Sequence, residues 1–500
     1  MRNWHSEFYL QWIERVEAWV LRSSRRFRWA LQLLNEEQAV KLGRWRAEGA
    51  AWRAWRKVPA YRDFLIRDGL TSPHVSFERL PVMSKEQYVR RYPTEDRCIG
   101  GTFFTPGVAI DESSGSTGTP YNWVRGIEER QRVHLTIARL IEWSLGAQPR
   151  IAINAFSMGA WATGVNMAEA LEQQGVVKST GPDVEKVLHT LEFFGSQIGY
   201  LICGYPPFLK RLLDTMLQRR MPLDRYEIHT LVGGEGMSEE LRCYLLRYFR
   251  SCYSGYGASD LEMGVAVETP EAIRIRSLLH AHPTLRASLL NGDHRIPMVF
   301  QYNPMTHYLE VNTENELIAT LTDSKVLSPR IRYNIRDEAV LFTRTELLGR
   351  LRDLGYPITP SQDAVLSFPY VMIFGRCDQT ISIMGANIYP QDVERAVFAQ
   401  PELAGLLVSF MLSVEDSCNG AVHPRVNIEC ACATPPALPV AVLAERIGFT
   451  LQEINSDFRN AAKEYPDPLR LELCLYGLEK GPFAGCSRLI KNRYLVGTRP

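Results

Sequence analysis

No apolar run in the 500-residue chain approaches the roughly 18 to 20 residues that a membrane-crossing helix needs, so no transmembrane segment is expected. The first residues, Met1-Arg-Asn-Trp-His5, lack the apolar core of a signal peptide, which predicts a cytoplasmic protein. Excess charge is missing as well: 57 Lys and Arg against 56 Asp and Glu leave a net +1, so electrostatics call for no nucleic-acid partner. The ten cysteines show no repeated Cys-x-x-Cys spacing, which argues for reduced thiols over a disulfide framework. Their closest pair, Cys430-Ala-Cys432, would share one face of a strand and reads as packing. Finally, no Gly-Lys-Ser/Thr follows the chain's most glycine- and hydroxyl-rich loop, which excludes a Walker-type P-loop.

That loop is Asp111-Glu-Ser-Ser-Gly-Ser-Thr-Gly-Thr-Pro-Tyr121. Its glycines let backbone N–H groups turn toward an anion, and Ser113, Ser114, Ser116, Thr117 and Thr119 add hydroxyl donors. By itself the segment reads equally as a plain turn. With 500 residues, two or more domains are expected, because one core rarely serves so long a chain.

Residues 1–60 read as helical, with Trp12, Val16, Trp19 and Val20 on one stripe and Arg22, Arg25, Arg26 and Arg28 close behind. Such a helix suits a membrane surface or a partner, but the stripe is expected to cap the large domain. After a helical pattern over 127–143, strand-like runs alternate with helices: Ile151-Ala-Ile-Asn154, Gly199-Tyr-Leu-Ile-Cys-Gly204 and Ile228-His-Thr-Leu-Val232. This is an α/β pattern, and in such sheets ligands gather at loops after strand ends. Two such loops are Val232-Gly-Gly-Glu-Gly236 and Tyr253-Ser-Gly-Tyr-Gly-Ala-Ser-Asp260. In the second, Tyr256 offers a flat face for a base and Ser259-Asp260 offer oxygens for a hard cation, although a strand-end turn explains either loop alone. Strand candidates over 308–311, 316–321 and 330–333 lead to Asp337, whose carboxylate suits sugar hydroxyls or a turn. The composition changes at 375–378, which places a boundary between a large domain, 1–374, and a small one, 375–500.

Taken in order, these loops resemble the adenylate-forming superfamily of acyl-CoA synthetases, luciferases and adenylation domains, and within it the phenylacetate-CoA ligases. The resemblance rests on the 113–120 loop, Gly233-Gly-Glu235, Tyr256-Gly-Ala-Ser-Asp260, Arg332-Tyr-Asn-Ile-Arg-Asp337 and Gly375-Arg-Cys-Asp378 continuing to Gly385-Ala-Asn-Ile-Tyr-Pro390. It implies an α/β large domain with mixed sheets and flanking helices, and a small mobile α+β lid. It further implies that Ser114, Gly115, Ser116, Thr117, Gly118 and Thr119 hold ATP phosphates and that Gly234, Glu235, Tyr256 and Gly257 frame the adenine. Ser259 would serve the phosphates and Asp260 would serve Mg²⁺; Asp337 would bind the ribose with Arg376 beside it, and Asp378 would be the hinge. Phe156, Met158, Trp161 and Tyr205 are candidates for an acid pocket, with plain core as the alternative.

The activity so implied is ATP-dependent formation of an acyl-adenylate from a small carboxylic acid, then transfer to CoA, with an amine acceptor as the alternative. Three positions depart from the family. Asp260 stands where Glu is usual, and Arg336 stands where Gly usually precedes the ribose Asp. Cys486 falls in the slot of the family's C-terminal lysine. Lys491 is expected to take that role, with Lys480 or Arg488 as substitutes, or else the chain is a nucleotide-binding protein without catalysis. The oligomeric state is left open, a dimer included.

Overall fold

The computed structural model describes residues 3–33, 35–112, 121–159, 162–293, 295–358, 366–376, 381–383, 386–416, 422–455, 458–459, 462–463 and 469–484. The valine-, isoleucine- and leucine-rich runs form the parallel half of an 11-stranded mixed sheet. In spatial order from the edge, that half comprises Val176–Ser179, Arg150–Asn154, Gly199–Gly204, Glu227–Val232 and Ser251–Tyr256. Strands buried on both faces read as nearly continuous apolar runs, as Arg150–Asn154 and Gly199–Gly204 do. The antiparallel half continues through Ala266–Val267, Met298–Tyr302, Tyr370–Arg376, Tyr333–Phe342, Glu316–Leu321 and His307–Val311. Ser251–Tyr256 is therefore the switch strand: parallel to one neighbour, antiparallel to the other. Crevices open where strand direction changes, and the candidate site lies at the end of this strand.

Two of the apolar cores that flank the sheet reach the switch strand. One gathers Phe156, Leu188, Tyr205 and Leu212 around the parallel half. The other gathers Tyr61, Phe64, Trp123, Phe300 and Tyr333 around the antiparallel half. Farther along the chain, Leu407–Asp416, Val422–Cys430 and Glu472–Tyr476 make a three-stranded sheet. Helices Pro390–Phe398 and Val440–Ile454 pack on it around Val393, Phe410, Val426 and Ile447. Cys430 is buried at a strand end, while Cys432 lies beyond the strand.

The N-terminal region is helical as the periodicity predicts: α1 (Asn3–Leu21), α2 (Ser24–Leu33) and α3 (Glu36–Lys57). Asn35 caps α3 by accepting from the Glu37 and Gln38 amides at 2.8 and 3.3 Å. The orientation of the tryptophan stripe differs from expectation. Trp12, Val16 and Trp19 face solvent, and Leu10, Glu14 and Leu21 face the body. Glu14 decides this face, since its carboxylate accepts from the Ser324 amide at 2.9 Å. The strand expected over 330–333 also begins late, at Tyr333, because Arg332 has a φ of +47°, which breaks an extended run.

Candidate active site

A cavity of about 500 Å³ opens at the end of the switch strand. It brings together Gly234, Glu235, Tyr256, Gly257, Ser259, Asp260, Asp337 and Arg376, eight residues that the sequence places as far as 142 positions apart. Two of the glycines are sterically required. Gly234 has a φ of +83°, and a Cβ there would stand 2.7 Å from the Tyr205 ring. A Cβ on Gly257 would stand 3.0 Å from the Glu262 carbonyl oxygen.

Asp337 enters the cavity through a bulge. Glu316 pairs with Glu338 while Ile318 pairs with Asn334, so Tyr333–Phe342 carries extra residues around Asp337. Arg336 turns the bulge with a φ of +64°, and its amide donates to the Asn334 side-chain oxygen at 2.8 Å. The Tyr256 hydroxyl donates to Asp337 Oδ2 at 2.5 Å. Burial, and then the Asp337 charge, push the Tyr256 phenol well above its ordinary range, so it stays a donor.

Asp260 is held in the same way. The buried Tyr333 hydroxyl donates to its Oδ2 at 2.7 Å, and Arg330 Nε donates to its backbone oxygen at 2.9 Å. Arg330 is buried over the Trp123 ring at 4.7 Å. Burial, followed by the nearby Arg125 and Arg97 charges, brings its guanidinium down to about 10. Arg125 donates to the Ser259 backbone oxygen at 2.7 Å and pairs with Asp111 at 3.6 Å, tying the strand-end turn to the base of the 113–120 loop. Asn166 adds a second tie, donating to Asp111 Oδ1 at 3.1 Å. Among the described residues no group of three or more His, Cys, Asp and Glu forms a metal cage. Asp260 fits the other mode, in which one carboxylate and substrate phosphates share the octahedral ion.

A second, mostly apolar cavity of about 160 Å³ shares Gly234, Gly255, Tyr256, Gly257, Ala258 and Ser259 with the first. Its walls include Val133, Ile137, Ile141 and Met167, together with Phe156 and Tyr205. The last two rings meet edge to face, with centroids 5.0 Å apart and planes at 83°. Met158 is not among the lining residues. It is 39% exposed, and its sulfur accepts from the Asn154 amide at 3.6 Å.

Helix Pro390–Phe398, which packs on the C-terminal sheet, reaches the first cavity through Gln391, Glu394 and Arg395. Arg395 pairs with Glu240 at 3.1 Å. Arg295 is sandwiched between Phe374 and Tyr389, 4.6 and 4.3 Å from the two ring centroids. Ser114, Gly115, Ser116, Thr117, Gly118, Thr119, Trp161, Asp378 and Lys491 lie outside the described residues. Tyr333, Arg330, Arg125, Asp111 and Asn166 are the supporting residues that the sequence reading gave no role.

No family model matches the chain. The phenylacetate-coenzyme A ligase of Aromatoleum evansii is 25% identical over 381 residues, spanning 74% of this chain and 77% of that protein. That of Thermus thermophilus is 23% identical over 381 residues, spanning 75% and 78%. A 2-hydroxyisobutyryl-CoA ligase in its postadenylation state, in complex with 2-HIB-AMP, superposes with a TM-score of 0.66 at 13% identity, over 93% of this chain and 91% of that one. The fold is that of the adenylate-forming ligases. The same ligase in its thioesterification state, with 2-HIB-AMP and CoA, superposes at 0.53 with 14% identity, over 92% of this chain and 90% of that one. No helix among the described residues is long and apolar enough to cross a membrane.

Proposed function

We propose that the chain is an ATP-dependent, AMP-forming acid–CoA ligase with its active site where the two cavities meet. The observation that carries this reading is the wall they share, residues 255–259 at the end of the switch strand. A nucleotide in the larger cavity and an apolar acid in the smaller one would meet across that wall. The phenylacetate-CoA ligase relatives support the same assignment.

In the first step a carboxylate oxygen attacks the α-phosphorus and the bond to pyrophosphate breaks. The acid thereby gains AMP as a leaving group, which a free carboxylate lacks. In the second step the CoA sulfur attacks the carbonyl carbon and AMP departs. Asp337, oriented by Tyr256, binds the ribose hydroxyls, and Gly234, Glu235 and Gly257 frame the base. Asp260, oriented by Tyr333, would hold Mg²⁺ together with the phosphates, where the bound ion would supply positive charge against the phosphoryl oxygens. Arg376 stands beside the nucleotide and Ser259 serves its phosphates, while the 113–120 loop holds the departing pyrophosphate. Residues 1–374, with Gly375 and Arg376 completing strand Tyr370–Arg376, form the adenylating domain, and the rest of 375–500 forms a lid that turns about Asp378 between the steps.

Acid-dependent ATP–pyrophosphate exchange across a panel of carboxylic acids tests the first step. Lys491→Ala should lower that exchange at least about tenfold, since a cation must face the reacting phosphate. Unchanged exchange would remove Lys491 from the role. CoA and amines supplied separately test the second step: AMP release that requires an amine would replace CoA as the acceptor, and ATP binding without exchange would remove catalysis altogether.

A further inference from the structure

The outward face of α1 and α2 takes no part in the site described above. On α1, Trp12, Val16 and Trp19 recur at helical spacing and point away from the body. On α2, Arg26, Trp29 and Leu33 share one stripe by the same spacing, with Trp29 and Leu33 exposed. The two stripes adjoin, because the Arg26 guanidinium lies 4.2 Å above the Trp19 ring. Each of the three tryptophans on this face is more than half exposed, at 57, 51 and 54%.

The charges there have one sign. Residues 9–33 contain five arginines, at 15, 22, 25, 26 and 28, and two glutamates. Both glutamates are turned inward: Glu14 bonds to Ser324, and Glu17 pairs with Arg46 and Arg132. Arg15, Arg22, Arg25 and Arg28 remain exposed, in a chain whose net charge is only +1. The opposite face is already committed. Leu21, Phe27 and Leu31 pack with Met305, Leu366 and Phe368. Arg139 holds the α1–α2 corner through the Leu21 carbonyl at 3.0 Å and Ser24 Oγ at 2.6 Å. The surface is therefore preformed and would not have to fold on contact.

We propose that this face is a peripheral docking surface for an anionic lipid bilayer. Tryptophan rings with a polar N–H settle at the level of lipid headgroups, and arginines beside them meet the lipid phosphates. The complementary partner is negatively charged because the exposed charges within residues 9–33 are all cations. Tryptophan interleaved with arginine across two helices matches the headgroup layer, with its apolar and anionic groups side by side.

The test is co-sedimentation of the full chain with vesicles of phosphatidylcholine, alone or mixed with phosphatidylserine. Binding to the mixed vesicles is expected, weakening with added salt, together with a blue shift of tryptophan emission. Trp12→Ala with Trp19→Ala should weaken it at least about tenfold, and Arg25→Glu with Arg28→Glu should abolish the preference for phosphatidylserine. All four positions are surface residues, and an unchanged circular dichroism spectrum and melting curve confirm that each variant is folded. Absent binding, or equal binding to pure phosphatidylcholine, overturns the proposal. So does a concentration-dependent dimer, seen in sedimentation velocity, that the tryptophan substitutions disperse: the face would then bind a second copy of the chain.

Discussion

Replacing Tyr389 with leucine should loosen the C-terminal sheet and helices from the large sheet without disturbing either one. Tyr389 stands just before helix Pro390–Phe398, and its ring lies 4.3 Å from the guanidinium of Arg295. Arg295 is anchored on the other side: it pairs with Asp293 at 2.6 Å and Glu338 at 2.5 Å and lies over Phe374. Its side chain is 9% exposed, so the interaction falls toward the desolvated end of the cation–π range, about 1–2 kcal/mol. That difference corresponds to an increase of about 5- to 30-fold in the undocked population. Substituting Arg295 itself would be a poor test, because Asp293 and Glu338 would lose their shared cation and the body would be destabilised directly. The measurement is energy transfer between dyes attached through unnatural amino acids at the exposed positions Leu246 and Val442, one on each body. An undocked fraction that stays within about twofold of the parent would refute a role for the Arg295 sandwich in docking.

Three further outcomes are expected. Arg336→Gly should raise thermal stability by about 1 kcal/mol, because a non-glycine residue at positive φ carries a steric cost that glycine avoids; a lower melting midpoint would mean that the Arg336–Glu86 contact at 3.7 Å outweighs it. Burial, then the Glu240 charge, raise the half-buried Glu394 carboxyl to about 8, with Ser238, Glu235, Arg276, Arg395 and His280 also facing this group or its neighbour Glu240. The docked form thus holds the proton more tightly than the free form, so docking is strongest at low pH, weakens as pH rises toward 8 and is level above it. Glu394→Gln should flatten that energy-transfer profile, and an identical profile would assign the dependence to another group. Tyr333→Phe removes the donor to Asp260 and should raise the Mg²⁺ concentration for half-maximal pyrophosphate exchange about tenfold; an unchanged requirement would separate Tyr333 from the metal.

The loops around the larger cavity were legible because each joins glycine or hydroxyl residues to the end of an apolar strand, and chain order arranges them at one sheet edge. Their supports were not. Tyr333 reaches Asp260 across 73 positions and Arg125 reaches Ser259 across 134, and no local periodicity couples residues so distant. The 3.6-residue period also identified α1 as two-faced without saying which face turns inward. Hydrophobicity favoured the tryptophans, whereas the structure buries the leucine side that Glu14 fastens to Ser324. Arg336 illustrates a third limit: its identity hinted at a departure from glycine, but the positive φ that makes the departure strained is visible only in the backbone.

The wall common to the two cavities constrains how such a protein diversifies. A substitution at Gly255, Tyr256 or Gly257 changes both cavities together, so on the proposed function a new acid preference acquired there would come with altered handling of ATP. The helix Ile127–Leu145 lines the smaller cavity alone, where Val133, Ile137 and Ile141 can vary in size without touching the larger one. Divergence in what the protein accepts should therefore accumulate along that helix, leaving the strand end as its least variable boundary.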